Sequence, residues 1–154
     1  MTIIWRNIGG IVAGLIAYGV TEYLLGGLAD RIMHPVDPLA WEPNAVGVAA
    51  AFLLPTMLSS LAAGWVAARI GGAFAAPVTG AILAVVYFLW FRAIFLAQSS
   101  QAGPVDPVLQ VPEWMFYTFL SGPPLLLVMS VIGGWLARRR NTSLHKSEVT
   151  GAFS

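Results

Sequence analysis

The chain predicts an all-α integral membrane fold of four transmembrane helices, arranged as two tandem helical hairpins in parallel orientation. Three observations lead there. Hydrophobic residues make up 58% of the 154 and charged residues 10%, with a mean hydropathy of +0.77, whereas soluble domains carry about 25% charged residues. Four apolar stretches, roughly Ile8 to Leu28, Ala45 to Ala68, Ala75 to Ala97 and Trp114 to Ala137, each approach the ~20 residues that cross the hydrocarbon at ~1.5 Å per residue. The first pair of stretches also recurs in the second. Pro35, Val36, Asp37 and Pro38 return as Pro104, Val105, Asp106 and Pro107, an offset of 69 positions. At that offset Tyr18 meets Tyr87, Pro43 meets Pro112, Pro55 meets Pro124, Gly64 meets Gly133, Ala68 meets Ala137 and Arg69 meets Arg138. Four prolines in register point to a duplicated helix pair.

The first helix follows Arg6 and carries a GxxxG step at Gly10 and Gly14, continued on the same face by Ala17 and Thr21. Small residues so placed let backbones approach, within one chain or between chains. The second helix holds Pro55 near its middle, and the fourth holds Pro123 and Pro124. Each proline removes an i→i−4 hydrogen bond and bends its helix; Thr56, Ser59, Ser60, Ser121 and Ser130 are placed to re-satisfy freed carbonyls. Two matching bends would form a hinge or cavity, although proline is also well tolerated in ordinary spans. Ala62, Ala63 and Gly64 close the second helix and Gly133 and Gly134 the fourth.

The transmembrane domain therefore covers residues 1–140, with repeat 1 at about 6–70 and repeat 2 at about 75–140, and residues 141–154 read as a polar, disordered tail. No cleavable secretory segment is evident, since the first apolar stretch is as long as a true span and lacks a clear Ala-x-Ala site. Cysteine is absent, which excludes disulfides and thiol catalysis. A net charge of +1 gives no reason to expect nucleic acid as a partner.

Arg6, Arg69, Arg138, Arg139, Arg140 and Lys146 fall on one side, and Arg31 stands alone among Asp30, Asp37, Glu42, Asp106 and Glu113 on the other. The positive-inside rule then places both termini in the cytoplasm. Trp5, Trp65 and Trp135 mark the inner interface, and Trp41 and Trp114 the outer one.

Two ionisable residues fall well inside the apolar stretches, Glu22 on the first helix and Arg92 on the third. Such residues are rare, costly and often functional. They lie at similar depth and at nearly equivalent places in the repeat, which suggests an ion pair across a pseudo-twofold axis. Without that partner, Glu22 is a candidate proton site, because removal from water penalises the charged form. The third possibility is that Arg92 reaches the headgroups along its own stem.

The outer turns hold His34, Pro35, Asp37, Glu42, Pro104, Asp106, Pro107 and Glu113. Carboxylates with one imidazole suit a hard or borderline cation, but no known ligand spacing is present, and Asp between prolines ordinarily caps its own turn. No metal or cofactor is expected. Nucleophile elbows, glycine-rich phosphate loops and paired haem-type histidines are absent from the spans, so the chain reads as no enzyme.

Arg6, Asn7 and Ile8 opening an Ala/Gly-rich span, the His34–Pro35 turn, Gly64-Trp65-Val66-Ala67-Ala68-Arg69 closing the second span, and Pro112-Glu113-Trp114 entering a last helix that ends in arginines together resemble small four-span bacterial inner-membrane proteins of unknown function. The resemblance covers nearly the whole chain and implies a multi-pass protein of the bacterial inner membrane. A narrower likeness, carried by Glu22 alone, is to the small multidrug-resistance transporters, four-span chains with an essential glutamate in the first helix; those are shorter and dimeric and lack the Pro-Val-Asp-Pro duplication. The expected function is a non-catalytic accessory or scaffold subunit, packing in the lipid bilayer against itself or a larger membrane complex. The alternative is a small proton-coupled transporter or channel using Glu22.

Overall fold

The computed structural model describes residues 3–33, 45–101 and 113–151. They form four helices and, among the described residues, no strand: α1 (Ile3–Met33), α2 (Ala45–Gly71), α3 (Ala75–Gln101) and α4 (Glu113–Gly151). Each contains a segment long and apolar enough to cross a membrane: Ile3–Leu28, Phe52–Gly71, Ala75–Ile94 and Thr118–Arg139. The chain is a multi-pass membrane protein. The prolines interrupt neither helix, since α2 runs through Pro55 and α4 through Pro123 and Pro124.

Small residues set the packing. Gly10 and Gly14 of α1 lie against α2, where a Cβ on Gly14 would come within 2.9 Å of both the Ala63 carbonyl oxygen and the Ala67 side chain. The GxxxG face is thus used within the chain. α2 in turn lies along α4: a Cβ on Gly64 would overlap the Ser130 carbonyl, and one on Gly133 would overlap the Leu61 carbonyl. Gly80 of α3 faces α4, where a Cβ would come within 2.8 Å of the Ser130 side chain and 3.2 Å of the Leu127 Cα. Buried positions on α4 recur as Thr118, Gly122, Leu126 and Ser130, a four-residue step that keeps one narrow stripe turned inward. Because Gly10 meets Gly71 while Glu22 meets Thr56, α1 and α2 are antiparallel. Ser60 meets Leu126 and Gly64 meets Ser130, so α2 and α4 are parallel.

Buried hydroxyls bind the helices together. Ser60 Oγ donates to the Leu126 carbonyl oxygen at 2.6 Å, and Ser130 Oγ donates to that of Ala76 at 2.8 Å. Neither acceptor is a carbonyl that the prolines free, which belong to Ala51, Phe119 and Leu120. These two serines join helices instead of repairing their own.

At one end the arginines gather. Arg69 stacks over Trp65 and Arg139 over Trp135, with guanidinium-to-ring distances of 5.1 and 4.6 Å. Three residues link α2 to α3 here. Gly72, at φ 103°, ends α2 with its N–H donating to the Ala68 carbonyl oxygen, a left-handed position that favours glycine. Arg138 Nη2 donates to the Ala73 carbonyl oxygen at 2.7 Å.

One expectation fails at the C-terminus. Residues 141–151, read from sequence as disordered, continue α4. From Arg138 to Thr150 the chain contains neither proline nor glycine to interrupt the helix. His34, Pro35, Asp37, Pro104, Asp106 and Pro107 lie outside the described residues, as do Glu42 and residues 152–154.

Candidate functional site: a buried carboxyl among hydroxyls

Glu22 is part-buried on α1, six positions inside the Leu28 end of its span, toward the end of the helices opposite Arg69, Arg138 and Arg139. Its partner is not Arg92. Glu22 Oε1 lies 3.0 Å from Thr56 Oγ1 of α2, and the buried Oε2 has no hydrogen-bond partner among the described residues. Arg92 stands exposed on α3. The ion pair expected between the two is therefore not seen among the described residues. The reason is azimuth: Tyr87 of α3 lies close enough to interact with the carboxylate, and five residues further along a helix is a turn of about 140°. Equal depth did not put Arg92 on the same face.

Three more residues complete the surroundings. Tyr18 is one turn from Glu22 on α1, interacts with its charge, and lies within hydrogen-bonding reach of the Thr56 hydroxyl. Tyr87, on α3, lies within range of the same carboxylate's charge. Ser59 is one turn from Thr56, fully buried, and its hydroxyl has no partner among the described residues. A Cβ on Gly122 of α4 would overlap the Tyr87 ring, so the bare glycine is what seats that ring. The site thus gathers one carboxyl, two phenols and the Thr56 hydroxyl from three helices, with the buried Ser59 hydroxyl one turn further along α2.

Sequence reasoning singled out Glu22 and noted Thr56 and Ser59 only as repairs to the proline turn. It did not assign Tyr18 or Tyr87 to the site. Two signals were available: i and i−4 share a helix face, which ties Tyr18 to Glu22, and the 69-residue offset ties Tyr87 to Tyr18.

Thr56 deserves closer geometry. Its single hydroxyl lies 3.0 Å from Glu22 Oε1 and 2.8 Å from the Phe52 carbonyl oxygen one turn back on α2. Thr21 makes the same kind of back-bond to Ala17 on α1. No group of three or more His, Cys, Asp or Glu side chains placed to hold a metal occurs among the described residues.

The fold and this site define a four-helix membrane protein with a part-buried carboxyl set beside hydroxyls from its helices. No family model matches the chain, and no curated protein or solved structure matches it.

Proposed function

We propose that the protein is a small proton-coupled transporter or channel of the bacterial inner membrane, and that Glu22 is the group that takes up and releases the proton. The observation that carries this reading is the buried Glu22 Oε2, which has no hydrogen-bond partner among the described residues. A carboxylate in a membrane interior is expensive unless paired, and neither oxygen of Glu22 bonds to a cation. Binding a proton removes that cost. Thr56 supplies a hydroxyl that can bond the carboxyl in either state, and Tyr18 and Tyr87 lie within range of its charge.

The tandem parallel repeat belongs to the same proposal. Moving the contact between Gly64 and Ser130 by 69 positions, forward for one residue and back for the other, gives the contact between Gly133 and Leu61. Reciprocity of that kind is what a twofold relation between hairpins produces. With the arginines at the inner interface, both termini would be cytoplasmic and Glu22 would lie nearer the outer face.

The test is proton uptake in proteoliposomes carrying an internal pH dye. Wild-type protein should acidify the lumen faster than empty liposomes under an imposed gradient, and Glu22→Gln should fall to the empty-liposome rate. Equal rates for wild type and variant would remove Glu22 from the role.

A second reading, an accessory subunit in a larger complex, draws on the exposure of Arg92 and of Tyr23, which is 82% exposed, on the outer surface of α3 and α1. A guanidinium on that surface fits a partner's carboxylate as well as a headgroup. Affinity isolation in mild detergent would return the same membrane partner repeatedly if this reading holds, and only the isolated chain if it does not.

A further inference from the structure

The Thr56 hydroxyl has one hydrogen and two carbonyl-type oxygens within bonding distance, Glu22 Oε1 at 3.0 Å and Phe52 O at 2.8 Å. It cannot donate to both at full strength. The state of Glu22 decides between them. When Glu22 is ionised, its carboxylate is the stronger acceptor, and the hydroxyl hydrogen turns toward Oε1. When Glu22 is protonated on that oxygen, the carboxyl O–H becomes the donor and Thr56 Oγ1 the acceptor; a proton on Oε2 leaves Oε1 a neutral carbonyl, a weaker acceptor than the Phe52 amide, and in either case the threonine's hydrogen goes back to Phe52. Both arrangements are reachable from the observed distances, and they differ in which oxygen holds the threonine's hydrogen.

The Phe52 end of this switch lies at the weakest turn of α2. Pro55 has no N–H, so the Ala51 carbonyl lacks its intrahelical donor. The Thr56-to-Phe52 back-bond sits on the adjoining carbonyl, and back-bonds of this type bend helices. Glu22 protonation thus makes a bend-favouring bond at a turn already one hydrogen bond short, and ionisation withdraws it.

We infer that Thr56 is a positioning residue that transmits the protonation state of Glu22 to the Pro55 turn of α2, so that the outer arm of α2 changes its angle when the proton is bound or released. This rests on the proposed proton-binding role of Glu22. The other titratable groups facing the carboxyl are the phenols of Tyr18 on α1 and Tyr87 on α3; α2 contributes the non-titrating Thr56 and Ser59, α4 makes no contact with α1 among the described residues, and Arg92 is exposed.

The chain has no cysteine, so spin labels can be placed without background. Labels at Leu54→Cys, on the outer side of Pro55, and at Val128→Cys of α4, both exposed sites, report the arm; Leu58→Cys with Val128→Cys reports the helix below the turn. In lipid nanodiscs, the first distance should differ between acid and alkaline pH while the second stays fixed. Thr56→Ser, which keeps the hydroxyl, should retain the difference. Thr56→Val, which keeps the shape and loses the hydroxyl, should abolish it, as should Glu22→Gln. Thr56→Ala serves as the second variant should the valine form not fold.

A pH-dependent distance that persists in Thr56→Val but vanishes in Glu22→Gln would overturn the coupling and leave the proton site standing. Persistence in both would overturn the coupling and, with it, the role of Glu22. No pH-dependent change in the wild-type frame would overturn the coupling alone, and the carboxyl infrared band of Glu22, present in acid, absent in alkali and missing from Glu22→Gln, then reports separately on the proton site.

Discussion

Gly64 of α2 lies so close to Ser130 of α4 that a single added carbon would overlap the serine's carbonyl oxygen. Backbone on the far side cannot retreat as a flexible side chain would, so the interface tolerates no Cβ there. Gly64→Ala and Gly133→Ala should each destabilise the protein by about 1–3 kcal/mol, the usual cost of overpacking. Gly19 has nothing within 4 Å of a built Cβ, and Gly19→Ala should be neutral or stabilising by up to ~1 kcal/mol through helix propensity. Denaturant titrations in mixed micelles would separate the two classes; equal losses at all three positions would contradict the close α2–α4 approach.

The serines crossing between helices make a smaller, additive contribution. Ser60→Ala and Ser130→Ala each remove one inter-helix hydrogen bond, worth on average about 0.6 kcal/mol between membrane helices. The two bonds have different acceptors, Leu126 and Ala76, so the double variant should lose close to the sum. Unfolding midpoints of the two single variants and the double variant measure this directly.

Removing Arg92 distinguishes the observed site from the expected one. In the structure the guanidinium is exposed and does not bond Glu22, so Arg92→Gln should change stability by no more than about 0.5 kcal/mol and leave Glu22-dependent proton uptake intact. Had the two formed a buried pair, deleting one partner would cost about 3–5 kcal/mol. A loss of that size, measured in the same micelles, would restore the pair.

Sidedness is open to chemistry on single cysteines. With both termini cytoplasmic, Asp37→Cys and Asp106→Cys should react with a membrane-impermeant maleimide added to intact cells, and Asn141→Cys should react only after the membrane is opened. The reverse pattern would invert the orientation drawn from Lys and Arg placement.

Much of the architecture could be read from the residues, and the site only in part. Four helices follow from four apolar stretches because, in hydrocarbon, a helix satisfies its own backbone. Residues 141–151 continue α4 because polarity alone does not stop a helix, and no proline or glycine lies between Arg138 and Thr150. Glu22 was legible as an acid within a span. Its neighbours were not, since depth along a helix comes from counting and azimuth comes from packing: Gly14 against Ala63 fixes which way α1 faces α2, and only then does Glu22 meet Thr56.

The three-residue link between α2 and α3 has a mechanical consequence. It spans at most ~14 Å even when extended, it is held by Arg138, and Arg6 lies beside Gly72. The hairpins are therefore tethered at their arginine ends, whereas no covalent link joins one hairpin to the other at the far ends. Relative motion of the two halves would be that of tweezers, with Gly72 near the fulcrum and Tyr18, Thr56 and Tyr87 out along the blades, where a small rotation at the pivot produces the larger displacement.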